Sequence, residues 1–117
     1  MTVVGVHHVA IGVNDVDAAV EFYGWLGLRP LPRPDFGFPG AWLQAGAQQV
    51  HLLQTDVEPP TAINHYAFHV DDLDATLELL AAHGVEARRS MRVEGAGKQA
   101  FVKDPSGNAV ELNEPDR

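Results

Sequence analysis

The sequence predicts an α+β fold made of two βαβββ modules, and three observations predict it. Residues 65–75 restate residues 8–18 at an offset of 57, laying His65 on His8, Ala67 on Ala10, Val70 on Val13, Asp72 on Asp15, Asp74 on Asp17 and Ala75 on Ala18, with no gap before Gly84 meets Gly27. After each copy the same order of strand, helix and hairpin signals follows. The two hairpin ends align as well, now at an offset of 60: Val50 on Val110, His51 on Glu111, Leu52 on Leu112 and Gln54 on Glu114. Such self-similarity marks one supersecondary unit used twice.

Each element has a local reason. Segments 3–13 and 63–70 are rich in β-branched and aromatic residues that suit a pleated, half-buried surface, so each opens its module as a strand. Asn14-Asp15 and Asp71-Asp72 can accept the orphan N–H groups of a first helical turn. Helices follow, with Val16, Val20 and Tyr23 in the first and Leu73, Leu77 and Leu80 in the second at i, i+4, i+7, an apolar stripe for packing on a sheet. Gly27 and Gly84 stand where a left-handed C-terminal cap is expected. In copy one, 29–33 carries Pro30 and Pro32 and suits only an edge strand, 35–40 is a loop, and 41–45 and 48–54 form a hairpin around Gly46-Ala47. Copy two has a strand at 85–91, a loop at 93–97, and a hairpin of 99–103 and 109–113. In its turn, Asp104-Pro105-Ser106-Gly107-Asn108, Pro105 fixes φ and Gly107 takes positive φ.

These elements make a single domain over 1–117, with module 1 at 3–54, a link at 55–61 and module 2 at 62–113. The modules are expected to pair about a pseudo-twofold axis as a curved mixed sheet, with a concave ligand-binding face and the helices outside. A chain of 117 residues, 45% hydrophobic, can bury a proper core. Its net charge of −8 argues against nucleic acid and anionic membrane surfaces, and the group Arg88, Arg89, Arg92 is too short to override it. With no cysteine, disulfides, zinc ribbons and thiol catalysis are excluded. No apolar run approaches membrane-spanning length and the first residues lack a basic leader pattern, so a cytoplasmic protein is expected.

The repeat also selects side chains. Equivalent positions pair His8 with His65 and His51 with Glu111, three imidazoles and one carboxylate, all residue types that bind divalent metals. Strand alternation puts His8 with Ala10 and Gly12 on one face and His7 with Val9 and Ile11 on the other. The bulkier face should pack on the helix, which leaves His8 on the open side. The same rule sets Ala67 and His69 beside His65, Gln49 and Leu53 beside His51, and Ala109 and Asn113 beside Glu111. His69 is then a candidate proton donor, and Phe36, Phe38, Trp42, Phe101 and Asn113 are candidate pocket residues, with core packing the stronger expectation for Trp42 and Phe101.

The paired modules, the opening His-Val-Ala-Ile-Gly-Val, the helix end Phe22-Tyr23-Gly24-Trp25-Leu26-Gly27-Leu28 and the closing Asp104-Pro105-Ser106-Gly107-Asn108-Ala109-Val110-Glu111-Leu112 resemble the vicinal oxygen chelate superfamily, which holds glyoxalases, bleomycin resistance proteins and dioxygenases. The resemblance spans essentially the whole chain, and it carries that family's metal positions onto His8, His51, His65 and Glu111. It implies one divalent ion per site, of zinc, nickel, iron, manganese or cobalt. It departs at His51, where glyoxalase-like members usually have a carboxylate or an amide. The activity so implied is that of a metal-dependent lyase or isomerase acting on a small carbonyl substrate through an enediolate-type intermediate, with Glu111 as ligand and candidate base. Two alternatives stand beside it: an Fe(II) dioxygenase using His8, His65 and Glu111, and a metal-independent antibiotic-binding protein. Relatives of this kind commonly form homodimers.

Overall fold

The computed structural model describes residues 2–59, 63–90, 92 and 94–116. The end of the link from Pro60, the last residue of the expected strand 85–91 and the first of the expected loop 93–97 lie outside the described residues. The chain divides into two compact units, Met1–Pro59 and Pro60–Arg117. Unit 1 carries β1 (His8–Val13), α1 (Val16–Trp25), β2 (Arg29–Leu31), β3 (Gly40–Ala45) and β4 (Gln48–Gln54); unit 2 carries β5 (Tyr66–His69), α2 (Leu73–Ala82), β6 (Arg88–Arg89), β7 (Lys98–Lys103) and β8 (Ala109–Glu114). The strands hydrogen-bond as two four-stranded sheets of identical pattern, β1-β4-β3-β2 and β5-β8-β7-β6. Each is mixed, the first strand parallel to the last and the remaining pairs antiparallel. This α+β fold is the predicted one.

The helix ends follow the predicted chemistry in both units. Asp15 and Asp72 are the N-caps, accepting from the backbone N–H of Ala18 and Ala75, each at 3.0 Å. A cap of this type contributes about 1 kcal/mol. At the other end Gly27 (φ +94) and Gly84 (φ +82) take the left-handed conformation. The Leu28 N–H then donates to Tyr23 O and that of Val85 to Leu80 O, and the Gly27 and Gly84 N–H groups donate to Gly24 O and Ala81 O, closing the same double-bonded cap twice.

The apolar stripe of α1 is rotated from its expected position. Ala19, Phe22 and Tyr23 are buried, whereas Val16 and Val20 are only half-buried. Phe22 and Tyr23 are neighbours about 100° apart on the helix, so burying both large rings centres the face between them. In α2, Leu73 and Leu80 are buried and Leu77 is half-buried.

Both opening strands are shorter than expected. Val3, Val4 and Val6 are 89%, 100% and 61% exposed, and Ile63 is 86% exposed. The cause in unit 1 is the ladder: His8 pairs with Gln49, so β4, which begins at Gln48 after its tight turn, offers residues before 7 nothing to pair with. Within the strands the alternation holds. Ile11 and Val13 are buried with Val50, Leu52 and Leu43, while His8, Ala10 and Gly12 lie on the opposite, exposed face. Unit 2 repeats this with Val110, Leu112, Val102 and Ala100 buried.

Candidate functional site

In unit 2, β8 presents Glu111 on the face turned away from Val110 and Leu112. Its neighbours across the sheet are Ala67 on β5 and Phe101 on β7. Small Ala67 leaves room, and His65, one residue before β5 begins, places Nε2 3.0 Å from Glu111 Oε1. Asn113 Nδ2 donates to Glu111 Oε2 at 3.2 Å and to the carbonyl of Ala96 at 3.0 Å. Phe101 meets the His65 ring edge-on with centroids 5.3 Å apart, and the Arg88 guanidinium lies over the other ring at 5.2 Å. Glu111 is 9% exposed.

In unit 1, β4 presents His51 on the equivalent face, directly opposite Trp42 of β3 and Ala10 of β1. The His51 ring is sandwiched: Trp42 stacks on it with centroids 4.5 Å apart and planes at 9°, and His8 stacks with centroids 3.9 Å apart and planes at 16°. His51 Nε2 is 2.8 Å from Gln49 Oε1. His8 in turn shares a 2.8 Å hydrogen bond between its Nδ1 and that of His7. Phe36 lies 6.0 Å from Trp42, and Arg33 packs against the Phe36 and Phe38 rings at 4.9 and 5.0 Å.

The two pairs suit a metal to different degrees. Adjacent donors on an octahedral ion with bonds of about 2.1 Å stand about 3 Å apart. The His65 and Glu111 atoms already have that spacing. Imidazole lone pairs lie in the ring plane, so the near-parallel rings of His8 and His51 aim side by side, and joint ligation requires one of them to turn. Among the described residues no group of three or more His, Cys, Asp or Glu side chains is gathered as a metal site.

The remaining expected site residues divide as follows. Trp42 and Phe101 do not pack in the core, because Leu43 and Val102 take the helix-facing positions of their strands. Phe36 and Phe38 are 52% and 46% exposed on the Pro/Gly loop. His69 stands opposite Asn113 in the ladder, exposed, and joins none of the Glu111 contacts. Gln49, expected beside His51 with no role of its own, is a partner that the sequence signals by a carboxamide two residues away on the same strand face. A pocket of about 430 Å³ in unit 1, lined by residues that include Asn14, Asp17, Arg33 and Gln54, contains none of the expected site residues.

Burial lowers the His51 pKa below the ordinary value of 6.5, helped by repulsion from His8, His7 and Arg33. The neutral ring, the form that can ligate a metal, is therefore favoured. The unfolded chain takes up the proton more readily, so the stabilisation is complete above 6.5 and is lost as pH falls from there through the folded-state pKa. Thermal melts between about pH 8 and about pH 5 should show Tm falling across that window, with a shallower slope in His51→Gln. An unchanged slope would contradict the assignment.

The family model of the Glyoxalase/Bleomycin resistance protein/Dioxygenase superfamily matches residues 5–112. A probable lactoylglutathione lyase of Vibrio cholerae is 33% identical over 119 residues, covering 90% of this chain and 86% of that protein. The crystal structure of a glyoxalase family protein from Bacillus anthracis matches with a TM-score of 0.88 at 26% identity, over 99% of this chain and 98% of that one. The fosfomycin resistance protein FosX of Listeria monocytogenes, solved with Mn(II) and sulfate, matches with a TM-score of 0.84 at 19% identity, over 98% of this chain and 93% of that one, which shows the shared fold. A family match over that much of the chain, on a fold whose two halves repeat element for element, makes the chain a member of the Glyoxalase/Bleomycin resistance protein/Dioxygenase superfamily.

Proposed function

We propose that the protein is a divalent-metal-dependent, glyoxalase-like lyase or isomerase acting on a small carbonyl-containing substrate, with His8, His51, His65 and Glu111 as its donor set. The observation that carries this is the 3.0 Å approach of His65 Nε2 to Glu111 Oε1, the spacing of two adjacent donors, with Phe101 edge-on to the imidazole. A divalent ion held there supplies a positive charge that polarises a substrate carbonyl and lowers the cost of removing a neighbouring proton. Glu111 is the candidate base, a carboxylate within reach of whatever occupies the open face. Exposed His69 is the candidate donor that returns the proton. Trp42 lays aromatic surface against His51 in unit 1 and Phe101 against His65 in unit 2, and Phe36 and Phe38 lie on a loop beside Trp42 that can contact substrate. A cytoplasmic homodimer completes the proposal, and sedimentation of the purified protein checks the oligomeric state.

The test is elemental analysis of protein purified without chelator, followed by a lactoylglutathione lyase assay on protein reloaded with zinc, nickel, manganese, iron or cobalt. The expected result is about one ion per chain and an activity that chelator abolishes and metal restores. Tight binding of an antibiotic, unaffected by chelator in a metal-free protein, would replace this function with sequestration. Iron together with substrate-dependent oxygen consumption would replace it with dioxygenation.

A further inference from the structure

We infer that two carboxamides, Gln49 and Asn113, are positioning residues that orient His51 and Glu111 for ligation, an inference that rests on the donor set proposed above. Each sits two residues from its partner along the last strand of its unit, hence on the same sheet face. Gln49 Oε1 can only accept, so the 2.8 Å contact puts the proton on His51 Nε2 and leaves Nδ1 as the ring's lone pair. Trp42 and His8 cover both faces of that ring. A ring stacked on both faces cannot exchange its two nitrogens by flipping without breaking the stack, so Gln49 decides which nitrogen is free.

Asn113 works by the opposite chemistry. Its Nδ2 donates one hydrogen to Glu111 Oε2 and the other to Ala96 O, which ties the amide to the loop before β7. Two residues of that loop are held in turn, since Asp116 accepts from the Gly95 N–H at 2.8 Å and pairs with Arg92. With Oε2 engaged, Glu111 is left to present Oε1, the oxygen beside His65 Nε2. Asn113 is thus turned inward to the carboxylate. Neighbours that fix the orientation and tautomer of metal ligands typically change affinity by about ten- to a hundredfold when removed.

Because one amide acts as acceptor and the other as donor, acid substitutions separate them. Gln49→Glu keeps the acceptor and should preserve the Nε2–H form of His51, while Gln49→Leu should give a mixture. Asn113→Asp keeps the shape and loses the donor, so it should disturb the His65 to Glu111 contact, and Asn113→Gln should partly restore it. Long-range ¹H–¹⁵N spectra of the metal-free protein report which nitrogen of His51 and His65 carries the proton. Calorimetric titration with Zn(II) then reports affinity, with a loss of about ten- to a hundredfold expected for Gln49→Leu and Asn113→Ala and near-parental affinity for Gln49→Glu. Unchanged tautomers in Gln49→Leu and Asn113→Asp overturn the inference, as does Zn(II) affinity that ignores a tautomer change. Failure of the parent protein to bind Zn(II) or any other divalent ion, with the tautomers shifting as described, overturns the metal function and leaves the amides as the groups that orient these side chains.

Discussion

Glu111→Gln is expected to lose divalent-ion binding by about a hundredfold or more and to abolish lyase activity, while the protein stays folded. In the proposed donor set Glu111 would bring the one negative charge beside neutral imidazoles, and that charge would be the largest single attraction a divalent ion meets there. Outer neighbours of a metal typically contribute ten- to a hundredfold, so loss of an anionic ligand should exceed that range. The glutamine side chain retains the length and one oxygen to accept from His65 Nε2 or Asn113 Nδ2, the two groups that now hold the carboxylate. Glu111→Ala removes both acceptors from a position only 9% exposed, and it should cost about 2 kcal/mol of stability besides. Isothermal titration with Zn(II) and Mn(II), alongside thermal melts, separates the two effects. A Glu111→Gln protein that binds either ion as tightly as the parent would remove Glu111 from the site and, with it, the proposed chemistry.

The candidate residues are more legible in the sequence as positions than as geometry. Repetition at offsets of 57 and 60 selects His8, His65, His51 and Glu111 as candidates, and alternation puts them on the face opposite Ile11, Val50 and Val110, which are buried. Capping at Asp15, Asp72, Gly27 and Gly84 was equally readable, since each rests on chemistry within a few residues. Strand length was not, because it depends on where the partner ends: the valines at 3, 4 and 6 have strand propensity and no ladder to join. The stacking of Trp42, His51 and His8 was also invisible, since a period of two gives the face a side chain occupies and says nothing of the torsions that lay three rings in parallel. For the same reason the sequence favours core packing over a pocket role for Trp42, whereas its neighbour Leu43 takes the buried side.

The largest stability effect outside the apolar core is expected at Asp104, five residues before β8 begins at Ala109. Asp104 is 4% exposed and Asn108 7%. Asp104 Oδ1 accepts from the N–H groups of Ser106 at 3.0 Å and Asn108 at 2.9 Å, and Oδ2 accepts from Asn108 Nδ2 at 2.9 Å. The backbone closes the same turn, with the Asp104 N–H donating to Asn108 O and the Gly107 N–H to Asp104 O, while Gly107 holds φ at +91. Asp104→Ala removes one charged acceptor from three donors at once. Hydrogen bonds to a charged group are worth about 1.5–3 kcal/mol each, and because the bonds share one acceptor and are not additive, a total of about 3–5 kcal/mol is expected. For a chain of this length that corresponds to a Tm roughly 10 °C or more below the parent. Asp104→Asn keeps Oδ1 for the two backbone donors and sets an amide against Asn108 Nδ2, so about 1–2 kcal/mol is expected. Divalent-ion binding should weaken in Asp104→Ala in step with its stability and recover on cooling, because β8 is frayed at its start while Glu111 itself is intact. In Glu111→Gln the loss should persist at every temperature where the protein is folded. Melts and Zn(II) titrations at two temperatures distinguish these outcomes, and an Asp104→Ala protein that melts within about 2 °C of the parent would show that the turn is held by its backbone bonds alone.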